Sequence, residues 1–363
     1  MKKYSVAVVG VGMVGIEMLR VLKERNFPLG ELRIFARSAR DIDVDGENYA
    51  VKTITPESFK DIDIALFAGT EGEKGAAVRF APQAIKSGAI VIDNGGDFRL
   101  RSDVPLVVPE VNPGAIKRHK GLIANPNCTT IQMVLALNEI YKRFGLEQII
   151  LSSFQAVSGA GKKAVEELWE ETKEAAARRT PHAARQKINT DISSEKRGAW
   201  SVKRGAPQLA FNTIPQIGSF GEQGYTTEEW KTVKETHKIF EDSSIRITST
   251  CVRVPVFVSH SEAIYFKTKK NTCLKEIEEV LKRSEGVVFF KDPQDFPLPL
   301  GTQGKDEVFV GRLREDPFNK DCFWLWCVSD NLRKGAALNA VQIAELICSV
   351  RGETSDKDLD AQH

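Results

Sequence analysis

Cys128 follows Asn125-Pro126-Asn127 and precedes Thr129-Thr130, where an extended apolar run, Gly121-Leu122-Ile123-Ala124, gives way to a helical pattern. A helix N-terminus presents unsatisfied N–H groups whose partial positive charge favours the thiolate, the form of sulfur that attacks carbon electrophiles. Cys128 is therefore a candidate nucleophile, with a pKa expected below the ordinary thiol value. Free cysteines are more often simply buried, and that is the reading for the other five. Cys251, Cys327 and Cys348 sit in apolar runs, and Cys273 and Cys322 lack any CxxC or Cys/His spacing that binds metal, so no metal is expected.

A sulfur nucleophile needs a partner for proton transfer. Of the five histidines, His119, His182 and His237 fall in polar or helical contexts and His363 is the last residue. His260 differs, because the strand-like run from Cys251 to Val258 leads to it and carries Arg253. Imidazole accepts and returns protons near neutral pH. A hydrogen-bonded structural histidine is the competing reading.

Glycine and strand patterns supply the frame. The β-branched run Val6 to Val9 is followed at once by Gly10-Val11-Gly12-Met13-Val14-Gly15 and an amphipathic stretch from Ile16 to Lys23. Between strand and helix this G-x-G-x-x-G has a mechanism: Gly10 makes the tight turn, Gly12 lets backbone approach a pyrophosphate, and Gly15 lets helix and strand pack closely. A purely structural glycine turn is the alternative. A second strand, Leu32 to Ala36, ends about 20 residues after the glycines, where NAD-binding chains place an acidic residue. Here stands Arg37-Ser38-Ala39-Arg40, whose guanidinium and hydroxyl donors suit a 2′-phosphate, so NADP is the expected cofactor. Runs from Ile62 to Phe67 and Ala89 to Asp93 flank a helical segment from Ala76 to Ser87 and extend a parallel, helix-covered sheet. Gly69, Gly72 and Gly95-Gly96 fall just past these strands, at the edge where such sheets bind ligands.

Beyond Cys128 a helix is expected from Thr130 to Arg143, then a strand from Glu147 to Val157 ending in Ser158-Gly159-Ala160-Gly161. A polar helix and surface excursion follow from Lys162 to Lys203. Strands dominate thereafter: Ser249 to Val256, Ser261 to Lys267, Glu307 to Arg314 and Phe323 to Val328. Long strands with few helices between them indicate a largely antiparallel second sheet. A last helix, Lys334 to Val350, returns to the first domain, and Gly352 to His363 is expected to fray. The expected architecture is α/β. A Rossmann-like parallel sheet over residues 1–130 is completed by the C-terminal helix of 331–363, and an α+β catalytic domain with the largely antiparallel sheet covers 131–330.

A chain of 363 residues exceeds what one hydrophobic core usually supports. Net charge is +2 with the signs interspersed, so nothing advertises nucleic acid or a membrane surface, and a small-molecule partner is expected. The N-terminus reaches Gly10 before a signal-peptide core forms, no run approaches transmembrane length, and six irregularly spaced cysteines do not suggest a disulfide scaffold. A cytoplasmic setting is the expectation.

Four segments occur in order: Asn125-Pro126-Asn127-Cys128; Gln155 to Gly161; Cys251 to Val256 with His260-Ser261-Glu262; and Val328-Ser329-Asp330-Asn331 with Lys334-Gly335-Ala336-Ala337. Together they resemble the aspartate-semialdehyde dehydrogenase family over nearly the whole chain. The resemblance implies that Cys128 attacks the acyl phosphate of L-aspartyl 4-phosphate and that NADPH reduces the resulting thioester. The thiohemiacetal then collapses to L-aspartate 4-semialdehyde with His260 as acid/base catalyst, a step in lysine, threonine and methionine biosynthesis. It further implies that Gln155 orients the intermediate, Arg253 clamps the α-carboxylate, Glu228 binds substrate, and Arg99 and Lys231 bind phosphate, with Asn127 beside the nucleophile. Implied cofactor contacts are Gly10, Gly12, Met13, Val14, Gly15, Arg37, Ser38, Ser158, Gly159 and Asn331. The second domain would also serve dimerisation, giving a homodimer or homotetramer. Glu228 and Lys231 share a face if their segment is helical; a surface ion pair is the competing reading.

The chain departs from the family in a glycine loop one residue shorter, in Gly69-Thr70-Glu71-Gly72, and in Gly95-Gly96-Asp97 where hydroxyl-rich turns are common. The first two lie near the cofactor and bear on its adenine and phosphate contacts, and the third places more of the substrate-phosphate binding on Arg99 and Lys231. A glyceraldehyde-phosphate or N-acetyl-glutamyl-phosphate enzyme is the nearest rival, but Arg253, Glu228 and the Asn-Pro-Asn approach argue against both. A cysteine hydrolase or acyltransferase leaves the nicotinamide site unexplained, and an inactive nucleotide-binding relative leaves the thiol, base and clamps unexplained.

Overall fold

In the computed structural model, which describes residues 2–69, 75–177 and 207–360, the chain builds two sheets. The first contains β1 (Tyr4–Val9), β2 (Leu29–Ala36), β3 (Arg40–Val44), β4 (Glu47–Thr53), β5 (Ile64–Phe67), β6 (Ile90–Asp93) and β7 (Leu122–Ala124), in the order β3-β4-β2-β1-β5-β6-β7. All neighbours are parallel except the β3–β4 hairpin. Both faces of the central strands are buried: Val6, Val8, Ile64, Leu66 and Ile92 on one side, Ala7, Val9, Ala65, Phe67 and Val91 on the other. Burial on two faces is why these strands read as unbroken apolar runs. Helix α1 (Met13–Glu24) follows β1, and α2 (Ala76–Lys86) covers the opposite face. A Cβ on Gly15 would stand 1.9 Å from the Gly10 carbonyl oxygen, so only glycine lets α1 start this close to the turn.

Helix α3 (Cys128–Phe144) leads into the second sheet. That sheet contains β8 (Leu146–Gln155), β9 (Arg246–Arg253), β10 (His260–Thr268), β11 (Val287–Phe289), β12 (Val308–Glu315) and β13 (Cys322–Ser329), in the order β11-β12-β13-β10-β8-β9. Its three central pairings are antiparallel, as expected from the sequence, while β11–β12 and β8–β9 are parallel, which makes the sheet mixed. The long β8–β9 connection, which includes α4 (Lys162–Ala177) and α5 (Thr227–Phe240), is the crossover that a parallel pair requires. The α3 helix packs on β8, β10 and β13 and is buried nearly all round, with Ile131, Met133, Val134 and Leu137 fully inaccessible.

Register sorts this covered face into rows. His260 pairs with Ser329 and Gln155 with Arg253; the next inward row is Cys327, Glu262, Ser153 and Cys251; the row after it begins the apolar core with Leu325, Ile264 and Leu151. Strand period two thus sets a polar row and a half-polar row at the sheet end nearest the start of α3. Helix α6 (Leu274–Leu281) packs behind α3, and α7 (Leu338–Asp360) follows a π-helical turn at Arg333–Ala337. Leu338, Val341, Ala344 and Ile347 of α7 join Val6, Val8, Met18 and Leu22 in one cluster against the first sheet. The backbone stays helical to Asp360, where fraying from Gly352 was expected. Thr70, Glu71, Gly72, His182, His363 and the excursion over 178–203 lie outside the described residues. Among the described residues no helix is long and apolar enough to cross a membrane.

Candidate active site

Asn127 is the N-cap of α3: its side-chain oxygen accepts from Thr129 N at 3.0 Å and Thr130 N at 3.4 Å. This satisfies two of the helix's orphan donors and sets Cys128 in the first turn, part-exposed on a cavity of about 270 Å³. Arg99, Asn127, Gln155, Glu228, Lys231 and Arg253 line the same cavity, as do Val14, Ser158, Gly159 and Asn331. A wider hollow of about 550 Å³ on the outer face of the second sheet, around Tyr265, Trp324 and Lys267, holds none of the residues singled out from the sequence.

The polar groups around the sulfur are cross-linked. Glu228 Oε1 accepts from Asn127 Nδ2 at 2.9 Å and from Gln155 Nε2 at 3.2 Å, and Lys231 Nζ lies 3.5 Å from Glu228 Oε2. Gln155 Nε2 also donates to Thr129 Oγ1 at 2.8 Å. The segment of Glu228 and Lys231 is helical, so the two share a face, but Glu228 is 7% exposed and faces the cavity rather than forming a surface ion pair. Arg253 is buried at the end of β9 and donates through Nη1 to Ala156 O at 2.6 Å.

The expected low pKa for Cys128 is overturned. Burial, and then the Glu228 carboxylate, push its thiol up to about 12, against the smaller downward pull of Arg99, Arg253 and the Thr129 backbone N–H. The helix terminus acts in the expected direction, but desolvation of the thiolate is the larger effect. The resting form is the thiol.

His260 is fully buried and does not itself line the cavity. Gly159 does, and a Cβ there would stand 3.3 Å from His260 Nε2 and 3.1 Å from Arg253 Nη1, so the missing side chain leaves a gap in front of His260 beside Arg253. Burial and the Arg253 charge hold the imidazole pKa well below its usual value. Ala156 N donates to His260 Nδ1 at 3.0 Å. The neutral ring therefore carries its proton on Nε2, an atom with no hydrogen-bond partner among the described residues. Ser259, just before it, adopts φ 76° and is held by its N–H to Asn331 Oδ1 at 2.9 Å; backbone strain of this kind is costly and concentrates at functional sites. Of the other histidines, His119 Nδ1 accepts from Gly121 N at 3.0 Å, and His237 Nε2 pairs with Ile245 O at 2.8 Å, both local structural contacts.

Gly10, Gly12, Met13 and Gly15 form the turn and first helical residues after β1, and Arg37 and Ser38 lie exposed past the end of β2, all outside the cavity wall. The N-cap Gly12 offers no side-chain cap to α1, and a Cβ on it would meet nothing within 4 Å, leaving bare N–H groups and open space where a pyrophosphate needs them. No acidic side chain replaces Arg37 and Ser38 at the β2 end, and Arg40 Nη1 reaches Ser38 Oγ at 3.4 Å. These residues fit NADP. Val14 and Gly69 connect this strip to the cavity. Asn331 is committed to Ser158 Oγ (Nδ2, 2.9 Å) and Ser259 N, tying the Ser158-Gly159 turn to the approach to His260.

Sequence reasoning missed Glu235, which is 1% exposed. It accepts from Arg99 Nη1 at 3.1 Å and from Asn127 N at 2.7 Å, while burial pushes its pKa upward. Its signal was the helical spacing Glu228, Lys231, Glu235, Lys238. Asn94, also missed, lines the cavity with Gly335 and Ala336, which the sequence singled out only as part of a motif, and a Cβ on Gly335 would press within 2.8 Å of Cys128 Cβ.

Two family models match the chain. Residues 5–119 match the family model of the semialdehyde dehydrogenase NAD binding domain, and residues 137–334 that of the semialdehyde dehydrogenase dimerisation domain. The chain is 46% identical over 361 residues to aspartate-semialdehyde dehydrogenase of Aquifex aeolicus, covering 95% of this chain and 98% of that protein. It is 44% identical over 347 residues to the Bacillus subtilis protein of the same name, covering 94% and 96%. A crystal structure of Vibrio cholerae aspartate semialdehyde dehydrogenase II complexed with ASA superposes with a TM-score of 0.84 at 41% identity, covering 96% of this chain and 99% of that one.

Proposed function

The chain belongs to the aspartate-semialdehyde dehydrogenase family, and from that premise we propose that it converts L-aspartyl 4-phosphate to L-aspartate 4-semialdehyde and phosphate through a thioester on Cys128. The observation that supports this most strongly is the gathering of Cys128, Arg253, Glu228, Arg99 and Lys231 on one cavity. A substrate with a carboxylate, an ammonium and a phosphate needs a cation, an anion and further cations placed around one electrophilic carbon.

In this reading Arg253 takes the α-carboxylate, Glu228 the ammonium, and Arg99 and Lys231 the phosphate, while Gln155 orients the acyl carbon. Cys128 Sγ forms a bond to that carbon, and the carbon–oxygen bond to phosphate breaks with its electron pair leaving on phosphate. Because the resting sulfur is a thiol, its proton passes to the departing phosphate, which leaves as hydrogen phosphate. Gly10 to Gly15, Arg37, Ser38, Ser158, Gly159 and Asn331 would hold NADPH, which would supply hydride to the thioester carbon. His260 donates its Nε2 proton or hydrogen bond toward the oxygen on which charge develops, across the gap at Gly159. Service as a base toward sulfur needs the other tautomer and loss of the bond from Ala156 N. The carbon–sulfur bond then breaks, the proton or hydrogen bond on oxygen returns to His260, and the departing sulfur takes up a proton from solvent, which regenerates the Cys128 thiol and releases the aldehyde.

The same reading divides the chain into a dinucleotide-binding domain, 1–130 with the helix of 331–363, and a catalytic and dimerisation domain, 131–330, that pairs protomers. Six free thiols suit a reducing cytoplasm. The test is reduction of NADP by purified protein given aspartate semialdehyde and phosphate, run beside NAD. Phosphate-dependent turnover favouring NADP supports the proposal. A folded protein with no turnover contradicts it.

A further inference from the structure

We propose that Glu235 is a positioning residue that sets phosphate affinity from α5 by locking the Arg99 guanidinium to the backbone beside the nucleophile; this rests on the assignment of phosphate to Arg99 above. One oxygen of this buried carboxylate accepts from Arg99 Nη1 at 3.1 Å and the other from Asn127 N at 2.7 Å. Arg99 and Asn127 sit in separate loops after β6 and β7, so a single side chain of the second domain spans two loops of the first. Arg99 is turned from two further sides by Nε to Asn125 O at 2.9 Å and Nη2 to Asn94 O at 2.7 Å.

One turn along α5, Lys238 Nζ donates to the carbonyl oxygens of Arg99 at 2.7 Å, Arg101 at 2.7 Å and Val104 at 2.6 Å, which pins the backbone from which the guanidinium projects. Glu228, Lys231, Glu235 and Lys238 thus form one helical stripe. Its first two members face the substrate, and its last two hold the arginine that does. A guanidinium oriented by fixed acceptors spends less ordering entropy on an incoming anion. Among the described residues the hydrogen bonds of Glu235 and Lys238 reach Arg99, Asn127, Arg101 and Val104, and none runs to Arg253 or to the Gly10–Gly15 turn. The effect belongs to phosphate alone.

The experiment is a double-mutant cycle read by the three KM values in the semialdehyde-oxidising direction. Glu235→Gln keeps the shape and an acceptor for Asn127 N but removes the charge opposite Arg99. Phosphate KM should rise about tenfold, the weight of one hydrogen bond to a charged group, with the KM values for semialdehyde and NADP within about threefold of wild type. In an Arg99→Gln background the same change should add nothing. The proposal is overturned if phosphate KM is unmoved, if all three KM values rise together with a lowered melting temperature, or if the rise persists without Arg99. Should Glu235→Gln not fold, Lys238→Met must show the same phosphate-selective rise, and sparing of phosphate KM there overturns it equally. A wild-type protein without phosphate-dependent turnover sinks the phosphate assignment itself, a result distinct from any of these.

Discussion

Gly335→Ala probes how closely the nucleophile's position is set by the turn that faces it. The added Cβ would lie 2.8 Å from Cys128 Cβ and 3.4 Å from its Cα, in a π-helical turn whose Gly335 N–H is tied to Asp330 O at 3.1 Å. Carbon atoms rest at about 3.5–4.0 Å, so one side must yield by about 0.7 Å or more. Relief through the turn opposes the packing of buried Lys334, whose ammonium is held by Glu110 at 2.7 Å and 2.8 Å, so much of the shift falls on Cys128. Overpacking of this size costs about 1–3 kcal/mol of stability. A reacting atom displaced by about 1 Å loses about 100-fold in rate, so kcat should fall by about 10–100-fold with the NADP KM near wild type. The assay is initial-rate kinetics in the oxidising direction beside a thermal melt. A kcat within about threefold of wild type, or a loss confined to the NADP KM, refutes the argument.

Three further outcomes follow from the buried titrating groups. With its thiol held up at about 12, Cys128 of the free enzyme should alkylate with iodoacetamide at a rate rising about tenfold per pH unit from pH 7 to 10; a plateau below pH 9 contradicts the raised value. His260→Asn removes the Nε2 donor and should lower kcat by about 100-fold or more without weakening NADP binding, whereas an unchanged rate reduces His260 to a structural part. Glu262 is fully buried with its pKa well above the usual carboxyl value, chiefly through desolvation. The native state then binds the extra proton: its contribution to stability is complete below about pH 4 and is lost as pH rises through the carboxyl range toward the raised value. Glu262→Gln, which cannot ionise, should gain in melting temperature over wild type as pH goes from 4 to 8, and calorimetry showing a pH-independent difference would contradict the shift.

What the sequence made legible were patterns carried by neighbours along the chain. The strand, glycine turn and helix from Tyr4 to Glu24 come in the expected order, with the strand starting two residues before Val6 and the helix three before Ile16, and Cys128 opens α3 two residues before the helix was expected. The β3–β4 hairpin was missed although Asp45-Gly46, both at positive φ, is a strong two-residue turn signal. Its flanking residues are mostly exposed and polar, so no apolar alternation announced strands. The last helix was expected to begin at Lys334, but that residue sits in the π-helical turn, where its buried ammonium meets Glu110, a partner far away in sequence. The thiol pKa was misjudged for a related reason: the helix start is local, whereas the burial and the Glu228 charge come from packing against a helix about 100 residues away. Glu235 was invisible because one more carboxylate on a polar helix is ordinary until Arg99 and Asn127 fold against it.

The thioester is best tested by trapping it. Mixing the enzyme with aspartate semialdehyde and NADP while omitting phosphate should give one burst of NADPH per active site and leave an aspartyl group on the peptide containing Cys128, discharged when phosphate is added. A burst that survives Cys128→Ser, or an acyl group on any other residue, would contradict the account.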